Sequence, residues 1–291
     1  METLGRYTIL EHLGAGALGE LLRARDTRGG RTVALRVVAP PIADDRARRE
    51  ALLSDASKAR ALSHPHVAAL FDVGEEDGRL CLAHEYVVGR SLRECLCGVP
   101  LSAARALECG VQLADGVAEG HRLDLVHASL GPSTVFINER DKTKIVDFGL
   151  SDWTTEGLRR QAIAGELAGG DEPSVAAAGQ LVCYMSPEQI LTGRADCRSD
   201  VFSLGVLVFE MVTGRSPFSG ASAAEGALNV LRLETPSVSR LSPALPARLD
   251  EVLARATEKS PGARYASAAA MAADLRALSG PILQAFSPRF R

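Results

Sequence analysis

The sequence has no marked excess of charge of either sign. Lys and Arg number 33 against 36 Asp and Glu, a net −3 over 291 residues. No field for a polyanion is implied, so nucleic acid is a poor first partner. Long apolar runs are also missing. The longest, Val201–Val212, carries Glu210, is too short to span a bilayer, and reads as a buried helix. No membrane partner is expected. The first residues, METLGRYTIL, lack a basic segment followed by an apolar one, so no signal peptide is expected. The six cysteines form no CxxC pair and have no histidine at zinc-site spacing. Reduced, mostly buried thiols in a cytoplasmic protein are the expectation. No internal repeat is visible. Apolar residues at 46% and charged residues at 24% fit an ordinary folded chain and exclude disorder or coiled coil as the main state.

Two halves differ in pattern. Residues 6 to about 86 are strand-like. Tyr7–Leu10 and Leu18–Ala24 flank a glycine cluster, and Thr32–Ala39 is a third apolar run stopped by Pro40–Pro41. Asp44–Leu62 is charged and alanine-rich at helical spacing. Ala68–Val73 and Arg79–Tyr86 read as a hairpin around Glu75–Gly78. Beyond residue 90 the pattern turns helical. Ser102–His121 carries Leu107, Val111, Ala114, Val117 and Ala118 on one face. Ser199–Thr213 is apolar all round and predicts a central helix. Ser222–Glu225 has the form of a capping box, and Leu245–Thr257 and Ser267–Leu278 read as further helices. Thr154–Gly179 has no steady period and reads as a long loop. The expected layout is a β-rich lobe, a linker at 85–90, a helical lobe over about 91–279, and a tail from 280 to 291.

Four signals then fall in order. Gly14-Ala15-Gly16-Ala17-Leu18-Gly19 lies between two strand patterns, with Leu21 two residues on. Alone, such a glycine cluster is weak, because glycine simply permits tight backbone. Val33-Ala34-Leu35-Arg36 follows on the third strand. Asp147-Phe148-Gly149 follows the strand Thr143–Val146, and Ser186-Pro187-Glu188 comes last. The order and spacing match those of protein kinases.

Over about residues 6–279 the chain resembles the eukaryotic-like Ser/Thr protein kinases of bacteria. LSHPHVAALFDVGEEDG, YMSPEQ, RSDVFSLGVLVFEMVTGRSPF and KSPGARY carry the likeness. The resemblance implies an α+β, bilobal protein-kinase fold with a nucleotide cleft between the lobes. It implies nucleotide-binding roles for Gly14, Gly16, Gly19, Leu21, Ala34, Arg36, Asp55, Glu85, Val87, Phe136 and Asp147. It also implies a regulatory stack of Ala59, Leu70, His127 and Phe148 on Asp200, and a buried Glu188–Arg264 ion pair.

The departures are chemical. Arg36 stands where the family has a phosphate-holding lysine, and Asp55 where it has the helix glutamate. In the stretch aligned with the catalytic loop, Ala128 replaces its arginine, Ser129 the catalytic aspartate, Gly131 the lysine and Thr134 the metal-binding asparagine. Serine is not basic near neutral pH, and general-base positioning is worth roughly 10²–10⁴ in rate, about 3–5 kcal/mol. Thr134 is at best a weak ligand for Mg²⁺, which leaves Asp147 as the strong metal ligand. ATP and Mg²⁺ are therefore expected to bind weakly or not at all. Loss of Ala128's counterpart arginine makes regulation through phosphorylated Ser151, Thr154, Thr155 or Ser174 doubtful.

The expected function is that of a pseudokinase that binds another protein, an active kinase or a signalling partner. The alternative is a weakly active or atypical Ser/Thr kinase that transfers the ATP γ-phosphate to protein hydroxyls. A third reading is nucleotidyl transfer onto protein. Four local expectations accompany these. His84, in the gatekeeper position, reads as a satisfied core histidine. Phe136 is either core or pocket filling. Trp153 packs on the helical lobe, and Arg46, Arg48 and Arg49 form a solvated helix face. Arg36 and Asp55 pair directly, while Glu50 lies roughly 140° around the helix and cannot share that role.

Overall fold

The computed structural model describes residues 2–150, 153, 181–242 and 245–286. The first lobe is a six-stranded antiparallel sheet. Its strands are β1 (Thr3–Leu4), β2 (Tyr7–Gly16), β3 (Gly19–Asp26), β4 (Arg31–Val38), β5 (Leu70–Glu76) and β6 (Arg79–Glu85), in the order β1-β2-β3-β4-β6-β5. Alternation along β4 sends Val33, Leu35 and Val37 to a cluster with Tyr7, Leu22 and Ala83 on one face. The other face meets helix α2 (Arg46–Arg60) through Leu52, Ala56 and Ala59, packed with Leu70, Leu80 and Leu82. Asp45 caps α2 by accepting from the Arg48 N–H. The expected hairpin closes at Asp77–Gly78, both at positive φ (49° and 76°), the backbone of a two-residue turn that matches strand twist. Pro40 and Pro41 do end the strand. They also open a one-turn helix, α1 (Pro40–Ala43), where a missing N–H costs nothing.

The second lobe carries β7 (Arg90–Ser91), α3 (Leu92–Leu96), α4 (Ala103–Arg122), β8 (Val135–Ile137) and β9 (Thr143–Ile145), the three strands forming a small sheet. After the stretch that is not described come α5 (Pro187–Thr192), α6 (Cys197–Thr213), α7 (Ala223–Arg232), α8 (Val238–Leu241), α9 (Ala247–Ala256) and α10 (Ala268–Phe286). Helix α6 is the expected central helix. Asp196 and Ser199 cap it reciprocally, every residue from Ser199 to Phe209 is buried, and Gly214 ends it in the left-handed conformation. At α7, Ser222 accepts from the Glu225 N–H, but the Glu225 carboxylate takes the N–H of Ala221, one residue before the cap. The expected box is therefore half formed. Helix α10 runs through Gly280 and Pro281 to Phe286, past the expected start of a tail. All six cysteines are free thiols. No helix of the described residues is long and apolar enough to cross a membrane.

Candidate functional site

Most of the residues expected to line the nucleotide site sit on neighbouring strands of the six-stranded sheet. Leu21 pairs with Arg36 across β3 and β4, and Ala34 pairs with His84 across β4 and β6. Arg36 and His84 are thus diagonal neighbours on one face. Of the three expected glycines, Gly19 is fixed by sterics, since a Cβ there would lie 1.9 Å from the Val37 carbonyl oxygen. Gly14 is held at φ 150°, and a Cβ on Gly16 would meet nothing. Leu18, at the turn, is fully buried with Val38, Ile42 and Leu52. At the linker, the Glu85 carboxylate accepts from Lys144 Nζ at 2.7 Å and from the Ala69 N–H at 3.2 Å. Val87 is half-buried beside it.

His84 is buried, but it is not satisfied as expected. Its Nε2 is enclosed and has no partner. Burial, reinforced by the Arg36 charge, lowers its pKa to about 4 against the pull of Asp147, so the ring is neutral at pH 7. Phe136 lies between Val135 and Ile137, which both enter the core of the helical lobe. It is half-buried and is not among the residues of that core.

The floor is the loop 127–134. His127 and Ala128 donate their backbone N–H groups to Asp200, each at 2.8 Å, and Asp200 is fully buried. The His127 ring stands edge-on to Phe148 at 5.2 Å, and its Nε2 lies 3.0 Å from the Val146 carbonyl. Ala59 and Leu70 pack in the N-lobe cluster, while Phe148 packs in the core of the helical lobe. Ala128 adopts φ 62°, an uncommon conformation held by its bond to Asp200 and by the bond from Gln189 Nε2 to its carbonyl. Ser129 is buried and its Oγ has no partner. The Thr134 hydroxyl accepts from the Gly131 N–H and faces the carbonyls of Gly131 and Ser129, at 3.1, 3.1 and 3.4 Å. It braces the loop. A Cβ on Gly131 would touch only Leu181 and Tyr184, at 3.7 and 3.9 Å, so apolar carbon faces the position of the family lysine.

Arg36 does not meet Asp55. Its guanidinium contacts Asp147 Oδ1 at 3.4 Å, while Asp55 Oδ2 accepts from the Trp153 indole N–H at 3.0 Å. Glu50 is turned away and binds Arg46 at 2.9 Å. Trp153 thus occupies the Asp55 carboxylate. Trp153 thereby packs on the core of the β-rich lobe and not on the helical lobe. The solvated basic face behaves as expected, with Arg46, Arg48 and Arg49 bound to Glu50, the Pro41 carbonyl and Glu75. Ser151, Thr154, Thr155, Ser174 and the expected loop Thr154–Gly179 lie outside the described residues. Among the described residues no three His, Cys, Asp or Glu side chains gather as a metal site. Asp147 offers one carboxylate and Thr134 a hydroxyl already bonded within the loop, so a divalent ion here would draw most of its ligands from phosphate and water. On the far side of the helical lobe, Glu188 and Arg264 form the expected pair, bidentate at 2.8 Å for both contacts.

Comparison with known proteins agrees with this architecture. The model of the protein kinase domain matches residues 7–274. The Ser/Thr-protein kinase PrkC of Bacillus subtilis is 33% identical over 275 residues, covering 94% of this chain and 40% of that protein. The Ser/Thr-protein kinase PknL of Mycobacterium tuberculosis is 34% identical over 275 residues, with coverage of 94% and 66%. This chain therefore spans less than two thirds of those relatives' length. The crystal structure of the Mycobacterium tuberculosis PknI kinase domain superposes with a TM-score of 0.69 at 24% identity, covering 95% of this chain and 98% of that one. Two lobes in this order, a β4–β6 cleft wall and a family match over nearly the full length make this chain a member of the protein kinase domain family, close to the bacterial Ser/Thr kinases.

Proposed function

We propose that this domain acts in signalling as a pseudokinase: it binds another protein, an active kinase or a signalling partner, in the cytoplasm and transfers little or no phosphate. One observation carries the reading. At the position of the family base stands Ser129, a buried hydroxyl with no partner to activate it. A hydroxyl cannot take the proton of an attacking alcohol at neutral pH, and about 3–5 kcal/mol of barrier lowering is lost with the carboxylate. Gly131 offers no cation to the transferred group, and the Thr134 hydroxyl is used inside the loop. ATP with Mg²⁺ is the cleft ligand suggested by family membership. Gly14, Gly16, Gly19, Leu21, Ala34, Val87 and Phe136 would enclose the base and sugar, and Arg36 and Asp147 would face the phosphates. Weak binding with little Mg²⁺ dependence is the expected result.

The second reading is a Ser/Thr protein kinase of low or atypical activity. The names of the similar proteins favour it, and Asp147 and Arg36 support it from within the cleft. One experiment separates the two. Purified protein is incubated with radiolabelled ATP and a generic protein substrate, beside a Ser129→Asp, Gly131→Lys, Thr134→Asn triple variant. The space at Gly131 admits a side chain in ordinary contact. The wild type should stay at background and the triple variant should rise by roughly 10²-fold or more. Robust incorporation by the wild type, abolished by Asp147→Ala, would establish the second reading instead.

A further inference from the structure

The hairpin of β3 and β4 carries four arginines within nine residues, Arg23, Arg25, Arg28 and Arg31, and a single acid, Asp26. Asp26 does not offset them at the surface. Its carboxylate is buried, accepts from the Arg28 N–H at 3.0 Å and lies 3.4 Å from Arg6 Nε. Among the described residues, Arg25, Arg28 and Arg31 reach no carboxylate, and Arg23 reaches Glu11 alone, at 3.5 Å. Other arginines of the same lobe are paired: Arg6 with Asp72, Arg46 with Glu50, Arg49 with Glu75 and Arg79 with Glu20. The hairpin is therefore where this lobe leaves positive charge uncompensated.

That charge has a defined geometry. Arg23 pairs with Ala34 and Arg25 with Thr32 across β3 and β4, so both arginines stand on the sheet face that carries Leu21 and Arg36. Two residues along a strand span about 6.8 Å, which is also the repeat of alternate side chains in an extended peptide laid alongside. The Arg23 guanidinium rests over the Tyr86 ring, 5.0 Å from its centre. A ring contact of this kind holds a guanidinium without using its N–H donors. Arg25 is exposed, and Arg28 continues the row into the exposed turn beyond β3.

We propose that this face of the β3–β4 hairpin binds an extended acidic segment of a partner protein, with carboxylates at alternate positions set against Arg23 and Arg25 and a further acid at Arg28. The incoming carboxylate displaces Glu11 from its long contact with Arg23, and the two-pronged fit of guanidinium to carboxylate fixes the register. The net charge of −3 opposes a long polyanion, whereas a short acidic segment meets only the local field. The proposal rests on the protein-binding reading above and adds the chemistry of the partner. Peptide binding and phosphate incorporation are measured separately, so either can fail alone.

The test is fluorescence anisotropy of a fluorescein-labelled Glu-Ser repeat peptide titrated with the full chain at low ionic strength, beside a Gln-Ser repeat. The wild type should bind the first and not the second. The double variant Arg25→Ala, Arg28→Ala removes two exposed side chains that pair with no acid, so it should keep the wild-type melt and weaken binding about tenfold. Arg248→Ala removes an exposed charge from α9 in the helical lobe and should bind like the wild type. Absence of binding by the wild type, or an equal loss in Arg248→Ala, overturns the surface. Tighter binding of an oligothymidylate or of phosphatidylglycerol vesicles, lost in the same double variant, overturns the acidic peptide as its occupant.

Discussion

At the scale of single residues, Glu188 and Arg264 form a two-pronged ion pair at 2.8 Å for both contacts. The Arg264 side chain is fully buried and also donates to the carbonyls of Glu258, Arg198 and Lys259. Burial alone would raise the Glu188 carboxyl, but hydrogen bonds from Arg264 and Ser199 outweigh it and bring the pKa down to about 2. A carboxyl depressed in the folded state stabilises it above the unfolded value, and that contribution fades as pH falls toward the folded value. The pair should therefore contribute about 1–3 kcal/mol at neutral pH, a figure reduced for the partly solvated glutamate, and lose it between about pH 4.5 and 2. In urea titrations, the stability gap between wild type and Glu188→Gln should close over that interval. A gap that stays constant into acid would mean that the charge contributes nothing. Both partners were legible through the resemblance to protein kinases, carried there by SPE and KSPGARY. The partner of Arg36 was not, because a pairing between residues 111 positions apart leaves no local pattern.

Elements with a long, regular period were legible to within a few residues. The pattern over Ser102–His121 became Ala103–Arg122, and that over Ser199–Thr213 became Cys197–Thr213. What periodicity could not reveal is why a glycine sits on the buried side of α4. A Cβ on Gly120 would lie 2.2 Å from the Phe148 ring, so this helix gives up a side chain to seat the ring beneath His127. Gly120→Ala should improve helix propensity yet destabilise the protein, by about 1–3 kcal/mol through overpacking. Thermal melts of the variant should fall; a rise would show that Phe148 has free space to move. The end of α10 was missed for the converse reason. Gly280 and Pro281 are breakers by composition, yet the helix passes through them.

On the scale of the whole molecule, the lobes share apolar contacts that neither lobe's own pattern announces. Leu150 belongs by sequence to the helical lobe, just after β9, but it is buried in the core of the sheet lobe. Leu150→Ala should lower the unfolding free energy by about 2–4 kcal/mol, as other large-to-small core changes do. Guanidinium titration would measure this, and a change below about 0.5 kcal/mol, as for a surface position, would place Leu150 outside the core. The bilobal layout itself was legible from the strand-to-helix change near residue 90, because the two periods differ and each lobe had to bury its own face.

The bracing of the loop 127–134 has a consequence for isotope exchange. The amides of His127, Ala128, Ser129, Gly131 and Thr134 all donate within the protein: to Asp200 twice, to His127 Nδ1, to Thr134 Oγ and to the Gly131 carbonyl. In deuterated water these protons should exchange slowly from the outset. Adding nucleotide should slow them little further, since no amide on that list awaits a guest. The loop is already ordered before anything enters the cleft, and a molecule that binds there would find its floor set in advance.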